Sequence, residues 1–137
     1  DPETQPIMMR MESDLVDLCL AAIDAKLDQV DSKWDPRASI GIVLAAGGYP
    51  AAYNKGDIIS CLPQVEIEGE KVFHAGTHNK DGDIVTNGGR VLCATALGNS
   101  VSEAQQRAYE LAKQISWDGM FHRNDIGYRA IAREQEK

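Results

Sequence analysis

The stretch "DIVTNGGRVLCATALG" (83–98) decides how the middle of the chain folds. Two apolar runs, Ile84-Val85 and Val91–Leu97, flank a turn that reads Asn87-Gly88-Gly89-Arg90. Asn-Gly between apolar runs is a strong hairpin signal, because both central positions of a type I′ turn need positive φ. The spacing therefore predicts a tight β-hairpin closed at Asn87-Gly88. The same residues also have chemical potential. Gly89 leaves backbone N–H groups approachable, Thr86 adds a hydroxyl and Arg90 a planar fork of donors, which together suit a phosphate monoester.

On either side of this stretch, further strand-like runs are punctuated by Gly, Pro, Asn and Asp. They are "ASIGIVLAAGGYP" (38–50), "DIISCLPQ" (57–64) and "KVFHAGTHN" (71–79). Their spacing predicts a small antiparallel sheet or barrel. "GNSVSEAQQRAYELAKQI" (98–115) then turns helical, with Ser100 and Glu103 as a capping box and Val101, Ala104, Ala108, Leu111, Ala112 and Ile115 on one face. The tail from Trp117, with its aromatics, arginines and Asp-Ile-Gly turn, is left unassigned. Upstream, residues 12–27 carry Leu15, Leu18, Cys19, Ala22, Ile23 and Leu27 at helical spacing, an amphipathic packing helix. Pro6 suits the first turn of a shorter helix. The polar "DQVDSKWDPR" (28–37) marks a boundary at Asp35-Pro36. The fold class is α+β: helices first, then a small antiparallel β-domain with helical cover.

The 137 residues suffice for one domain with a real core. A net charge of −7 without any lysine/arginine block argues against a duplex nucleic-acid partner. No apolar run approaches the roughly 20 residues that span a bilayer, and no signal-peptide pattern is visible. Three widely spaced cysteines inside apolar segments (Cys19, Cys61, Cys93) read as buried thiols in a reducing compartment. His74 and His78, in a strand and then a turn, do not converge as metal ligands, and His122 reads as solvated or locally bonded. Neither a phosphate loop, a dinucleotide fingerprint nor a nucleophile elbow occurs. The chain opens without a methionine and closes on a polar run, so the front of a larger protein is expected to be missing.

Six segments occur in order: "DPETQP" (1–6), "AAGGYP" (45–50), "VFHAGT" (72–77), "TNGGRVL" (86–92), Ala96-Leu97-Gly98 and "RNDIGYRAI" (123–131). Together they resemble the C-terminal third of the glycinamide ribonucleotide synthetases, ATP-grasp ligases of purine (IMP) biosynthesis. The resemblance implies an enzyme that joins glycine to 5-phosphoribosylamine with ATP hydrolysis. The glycine carboxylate is first phosphorylated, and the products are glycinamide ribonucleotide, ADP and phosphate.

It implies ATP with Mg²⁺ or Mn²⁺, the metal ligands lying just upstream of Asp1, and a cytoplasmic location. Residues 1–36 would be the closing loop and helices of the ATP-grasp core, and 37–137 the C-terminal domain. Asp1, Pro2, Glu3 and Thr4 would form a substrate-facing loop, and Thr86, Asn87, Gly88, Gly89 and Arg90 would contact the ribosylamine phosphate. No catalytic residue is assigned within the chain. Its partners would be the N-terminal and ATP-grasp lobes of the same protein, without which it should not turn over. The rivals are a non-catalytic small-ligand or carrier module and an inert assembly domain that exposes the hairpin only to contact another subunit. That tip lacks the lysine a carrier needs.

Overall fold

The computed structural model describes residues 2–65 and 67–136; Asp1, expected at the substrate, lies outside them. The helices are α1 (Thr4–Arg10), α2 (Leu15–Ile23), α3 (Val101–Gln114) and α4 (Tyr128–Gln135). The strands are β1 (Ala38–Ala45), β2 (Glu70–His74), β3 (Thr77–Lys80), β4 (Asp83–Thr86) and β5 (Arg90–Gly98).

The apolar run after Arg90 is β5, and it is the middle strand of an antiparallel sheet ordered β1-β5-β2. Ala94 faces Ile42 on one side and Val72 on the other. A strand paired on both edges and covered on both faces has no place for charge, and Val91–Leu97 are buried. On one face α3 lays Ala104, Ala108, Leu111 and Ala112 against Ile40, Ile42, Leu44 and Leu92. Alanines at the contact let helix and sheet approach closely. The alternating residues of β1 point the other way, where Pro6 of α1 lies against Gly41.

The predicted hairpin at Asn87-Gly88 is absent. β4 pairs with β3 instead, through Asp81-Gly82, whose φ values of 54° and 99° are both positive, as a type I′ turn requires. None of Asn87, Gly88 and Gly89 has a left-handed φ. Their segment crosses from one sheet to the other, and its glycines serve close approach rather than turning. A Cβ on Gly76 would sit 2.8 Å from the Gly88 Cα, and the Asn87 N–H donates to the Gly76 carbonyl at 2.7 Å. The strands accordingly form two separate small sheets rather than one sheet or barrel. Residues 57–64 contribute only isolated pairings, Ile58 with Val85 and Ser60 with Ser116.

Ser100 caps α3 as expected: its Oγ accepts from the Glu103 N–H at 3.0 Å, while the Glu103 carboxylate accepts from the Asn99 N–H at 2.7 Å. The unassigned tail becomes α4, entered through Gly127 at φ 84°. Its approach is stitched to α3. The Tyr109 hydroxyl donates to the Arg123 carbonyl at 2.8 Å and accepts from the Ile126 N–H at 3.1 Å. The Gln105 amide donates to the Ile126 carbonyl at 2.6 Å.

The helix expected over 12–27 is shorter, and it does not pack as expected. Residues 12–33 leave the domain and return where Met11 pairs with Trp34. Val16 is 64% exposed and Ile23 78%, and none of the residues of α2 is buried. Leu27, Val30 and Trp34 flank Leu18, Cys19 and Ala22 across a groove, and the rest of this apolar face lies open among the described residues. Cys19, on it, is exposed, and so is Cys61, held at φ 59°; only Cys93 is buried. The expectation of three buried thiols is thus wrong for two. Burial pushes the Cys93 thiol up, against a smaller downward pull from its contact with Thr95. The thiolate is the reactive form. A thiol reagent should therefore modify Cys19 and Cys61 in the native chain quickly, and Cys93 only on unfolding. Peptide mapping after timed labelling checks this, and rapid Cys93 modification would contradict the burial.

Candidate functional site

Three segments converge where β1 ends. The Ala45 N–H donates to the Phe121 carbonyl at 2.9 Å, and the Phe121 N–H returns a bond to the Ala45 carbonyl at 3.1 Å. The next residue, Ala46, donates to the Gly89 carbonyl at 2.8 Å. These bonds bring the start of β5 and the loop before α4 to the same end of the sheet. The start of α1 closes the remaining side.

Between them lies a cavity of about 520 Å³ with largely apolar walls, among them Pro2, Pro6, Val43, Pro50, Phe121 and Ile126. Its polar groups are few: Glu3, Arg90, His122 and Arg123, while Tyr49 lines the wall beside Pro50. A concave apolar site with a small number of placed charges is the usual form of a small-molecule site. Arg90, half-buried, enters from the first residue of β5, and Glu3 from just before α1. Arg123 is held by Asp125 through two bonds of 2.8 and 2.6 Å. That guanidinium holds the Asp125 carboxyl below the usual carboxylate range. The His122 ring lies 5.6 Å from that of Tyr109.

Of the residues singled out in the sequence, the fold brings Pro2, Glu3 and Arg90 together on this cavity. Thr4 opens α1 and is not on its wall. Thr86 is buried, and its hydroxyl accepts from the Asp57 N–H at 3.1 Å, which commits it to the loop beneath β4. Asn87 is exposed, while Gly88 and Gly89 pack against Gly76 and Tyr49. Sequence reasoning did not single out Tyr49, Phe121, His122 and Arg123. The signal was present in "GGYP" and "RNDIG", where an aromatic or an arginine adjoins a turn.

His74 accepts or donates locally, its Nδ1 3.0 Å from the Thr77 hydroxyl. The described residues contain no group of three or more His, Cys, Asp or Glu placed to hold a metal ion. Among them no helix is long and apolar enough to cross a membrane.

A family model described as phosphoribosylglycinamide synthetase, C domain, matches residues 39–129. The chain is 96% identical, over all of its 137 residues, to a phosphoribosylamine–glycine ligase of Vibrio parahaemolyticus. It is 64% identical over 136 residues to the enzyme of that name from Escherichia coli. In both cases it covers 32% of the relative, so the chain spans about a third of the length of the curated relatives it matches. The crystal structure of phosphoribosylamine–glycine ligase from Thermotoga maritima matches with a TM-score of 0.71 at 36% identity, covering 91% of this chain and 30% of that one.

Proposed function

Because the chain belongs to the phosphoribosylglycinamide synthetase C-domain family, we propose that it is the C-terminal part of a phosphoribosylamine–glycine ligase. Its cavity would form one wall of that enzyme's phosphoribosylamine site. In the proposed reaction ATP transfers its terminal phosphoryl group to the glycine carboxylate. The amine of phosphoribosylamine then attacks the acyl carbon, the C–N bond forms, phosphate leaves with the C–O bond's electrons, and the nitrogen gives up one proton to solvent. Mg²⁺ or Mn²⁺ belongs to the proposed enzyme by resemblance, its ligands being expected just upstream of Asp1.

The observation that carries this reading is the meeting of Arg90 and Glu3, from distant parts of the sequence, on one apolar-walled cavity. The Arg90 guanidinium presents a planar set of donors that matches phosphate oxygens. The Glu3 carboxylate is an acceptor for the substrate's hydroxyls or amine. Apolar walls exclude water and strengthen both interactions. The uncovered face of α2 supports assigning residues 1–36 to the end of an ATP-grasp core, whose remainder would lie against it. Such an enzyme would work in the cytoplasm. Of the rivals, the carrier and the assembly module depend on an exposed hairpin tip, whereas a non-catalytic small-ligand module does not. Here the corresponding segment is a crossover whose Gly89 is buried.

A charge-assisted bond is worth about 1.5–3 kcal/mol, so Arg90→Ala in the complete ligase should raise the KM for phosphoribosylamine about 10- to 150-fold. The KM values for glycine and ATP should stay close to those of the parent. An unchanged phosphoribosylamine KM would remove Arg90 from the site.

A further inference from the structure

We propose that Tyr49 is a positioning residue for Arg90: its ring clamps the Gly89 backbone and so fixes where the Arg90 guanidinium stands in the cavity. The inference rests on the reading of Arg90 as the phosphate contact.

Gly89 is gripped from two directions. Its carbonyl accepts the Ala46 N–H at 2.8 Å, and its Cα faces the edge of Tyr49. A Cβ built on Gly89 would collide with the Tyr49 Cδ2, and would stand 2.8 Å from Cε2 and 3.0 Å from the Tyr53 Cε1. The two tyrosine rings support each other, with centroids 6.3 Å apart at a tilt of 57°. The loop that carries them is itself built for this seat. The Tyr49 N–H donates to the Ala46 carbonyl at 3.1 Å, and Gly48 takes φ 94°, where a side chain would meet the Ala52 carbonyl. A Cβ on Gly47 would lie 2.9 Å from the Gly119 carbonyl, which ties the loop to the segment bearing Phe121 and Arg123.

Arg90 follows Gly89 directly, so any shift of the Gly89 backbone moves the guanidinium. A bidentate phosphate contact tolerates little displacement, since a misplacement of about 1 Å costs up to about 100-fold. The contact requires an aromatic ring at Tyr49, and the phenol oxygen is dispensable.

The test is a set of variants in the complete ligase, with KM and kcat measured for phosphoribosylamine. Tyr49→Ala should raise KM between about 10- and 100-fold with little change in kcat. Tyr49→Phe should restore the parent KM. Gly89→Ala, which pushes the ring away, should reproduce the Tyr49→Ala defect, and combining the two should cost no more than either alone because both remove the same clamp. Tyr49→Ala added to Arg90→Ala should cost no more than Arg90→Ala alone, because a positioning residue acts only through its partner. Multiplying effects in that double variant, a Tyr49→Phe defect equal to that of Tyr49→Ala, or no effect of Tyr49→Ala while Arg90→Ala is impaired would each overturn the proposal. An Arg90→Ala variant with parent KM overturns the underlying reading instead.

Discussion

Gly98→Ala is expected to destabilise the domain by about 3 kcal/mol, at the upper end of what overpacking a core costs. Gly98 ends β5, opposite Ala38, and is buried beneath the first turn of α3. A Cβ there would collide with the Ala104 amide nitrogen and lie 2.9 Å from both the Ala104 Cα and the Glu103 carbonyl carbon. All three are backbone atoms, so no rotamer change makes room. Relief requires lifting the start of α3 off the sheet, which strains the Ser100 cap and uncovers Ala104 and Ala108 together. For a domain of this size the loss corresponds to a fall in Tm of about 10–15 °C. Gly82→Ala is the informative comparison. Gly82 has φ 99° but nothing within 4 Å of a built Cβ, so it should cost only the left-handed backbone term, about 1–2 kcal/mol. Thermal unfolding of both variants separates the two causes, and a Gly98→Ala Tm no lower than that of Gly82→Ala would mean the strand end and helix can part cheaply.

The same glycines show what is and is not legible in the sequence. β5 and α3 are readable because their signals are local: a continuous apolar run, and a capping serine three residues before a glutamate. The Asn87-Gly88 hairpin is misread because its glycines have a tertiary purpose, close approach to Gly76 and to Tyr49, which no local pattern reveals. Asp81-Gly82 makes the actual type I′ turn, but it lies between the polar Lys80 and Asp83, where apolar flanks give no help. α2 reads as a packing helix from its spacing, yet none of its residues is buried, because spacing tells which residues share a face and not what meets it. At the site, Glu3 and Arg90 are identifiable from their chemistry. Their meeting with Tyr49 and Arg123 depends on pairings such as Ala45 with Phe121, which only the folded chain sets.

Reversing the charge at Arg90 should have the largest functional effect of any single change in the cavity. If Arg90 holds the phosphate as proposed, Arg90→Glu would remove a charge-assisted bond of about 1.5–3 kcal/mol and place a carboxylate against that phosphate, a like-charge contact costing several kcal/mol more. Glu3 already supplies one negative group to the same cavity, so the introduced carboxylate also repels a neighbour. In the complete ligase kcat/KM for phosphoribosylamine should fall about 1,000-fold or more. Thr86→Val supplies the contrast, since Thr86 is another side chain of the expected phosphate cradle. Its hydroxyl is spent on the Asp57 N–H, and its removal leaves that donor without its acceptor, a stability loss of about 1–3 kcal/mol. Thr86→Val should therefore lower Tm and leave the phosphoribosylamine KM unchanged, whereas Arg90→Glu should raise that KM steeply. If both variants raised KM, the hydroxyl would have to reach the substrate through a rearranged loop. If neither did, the phosphate would be held by another part of the enzyme.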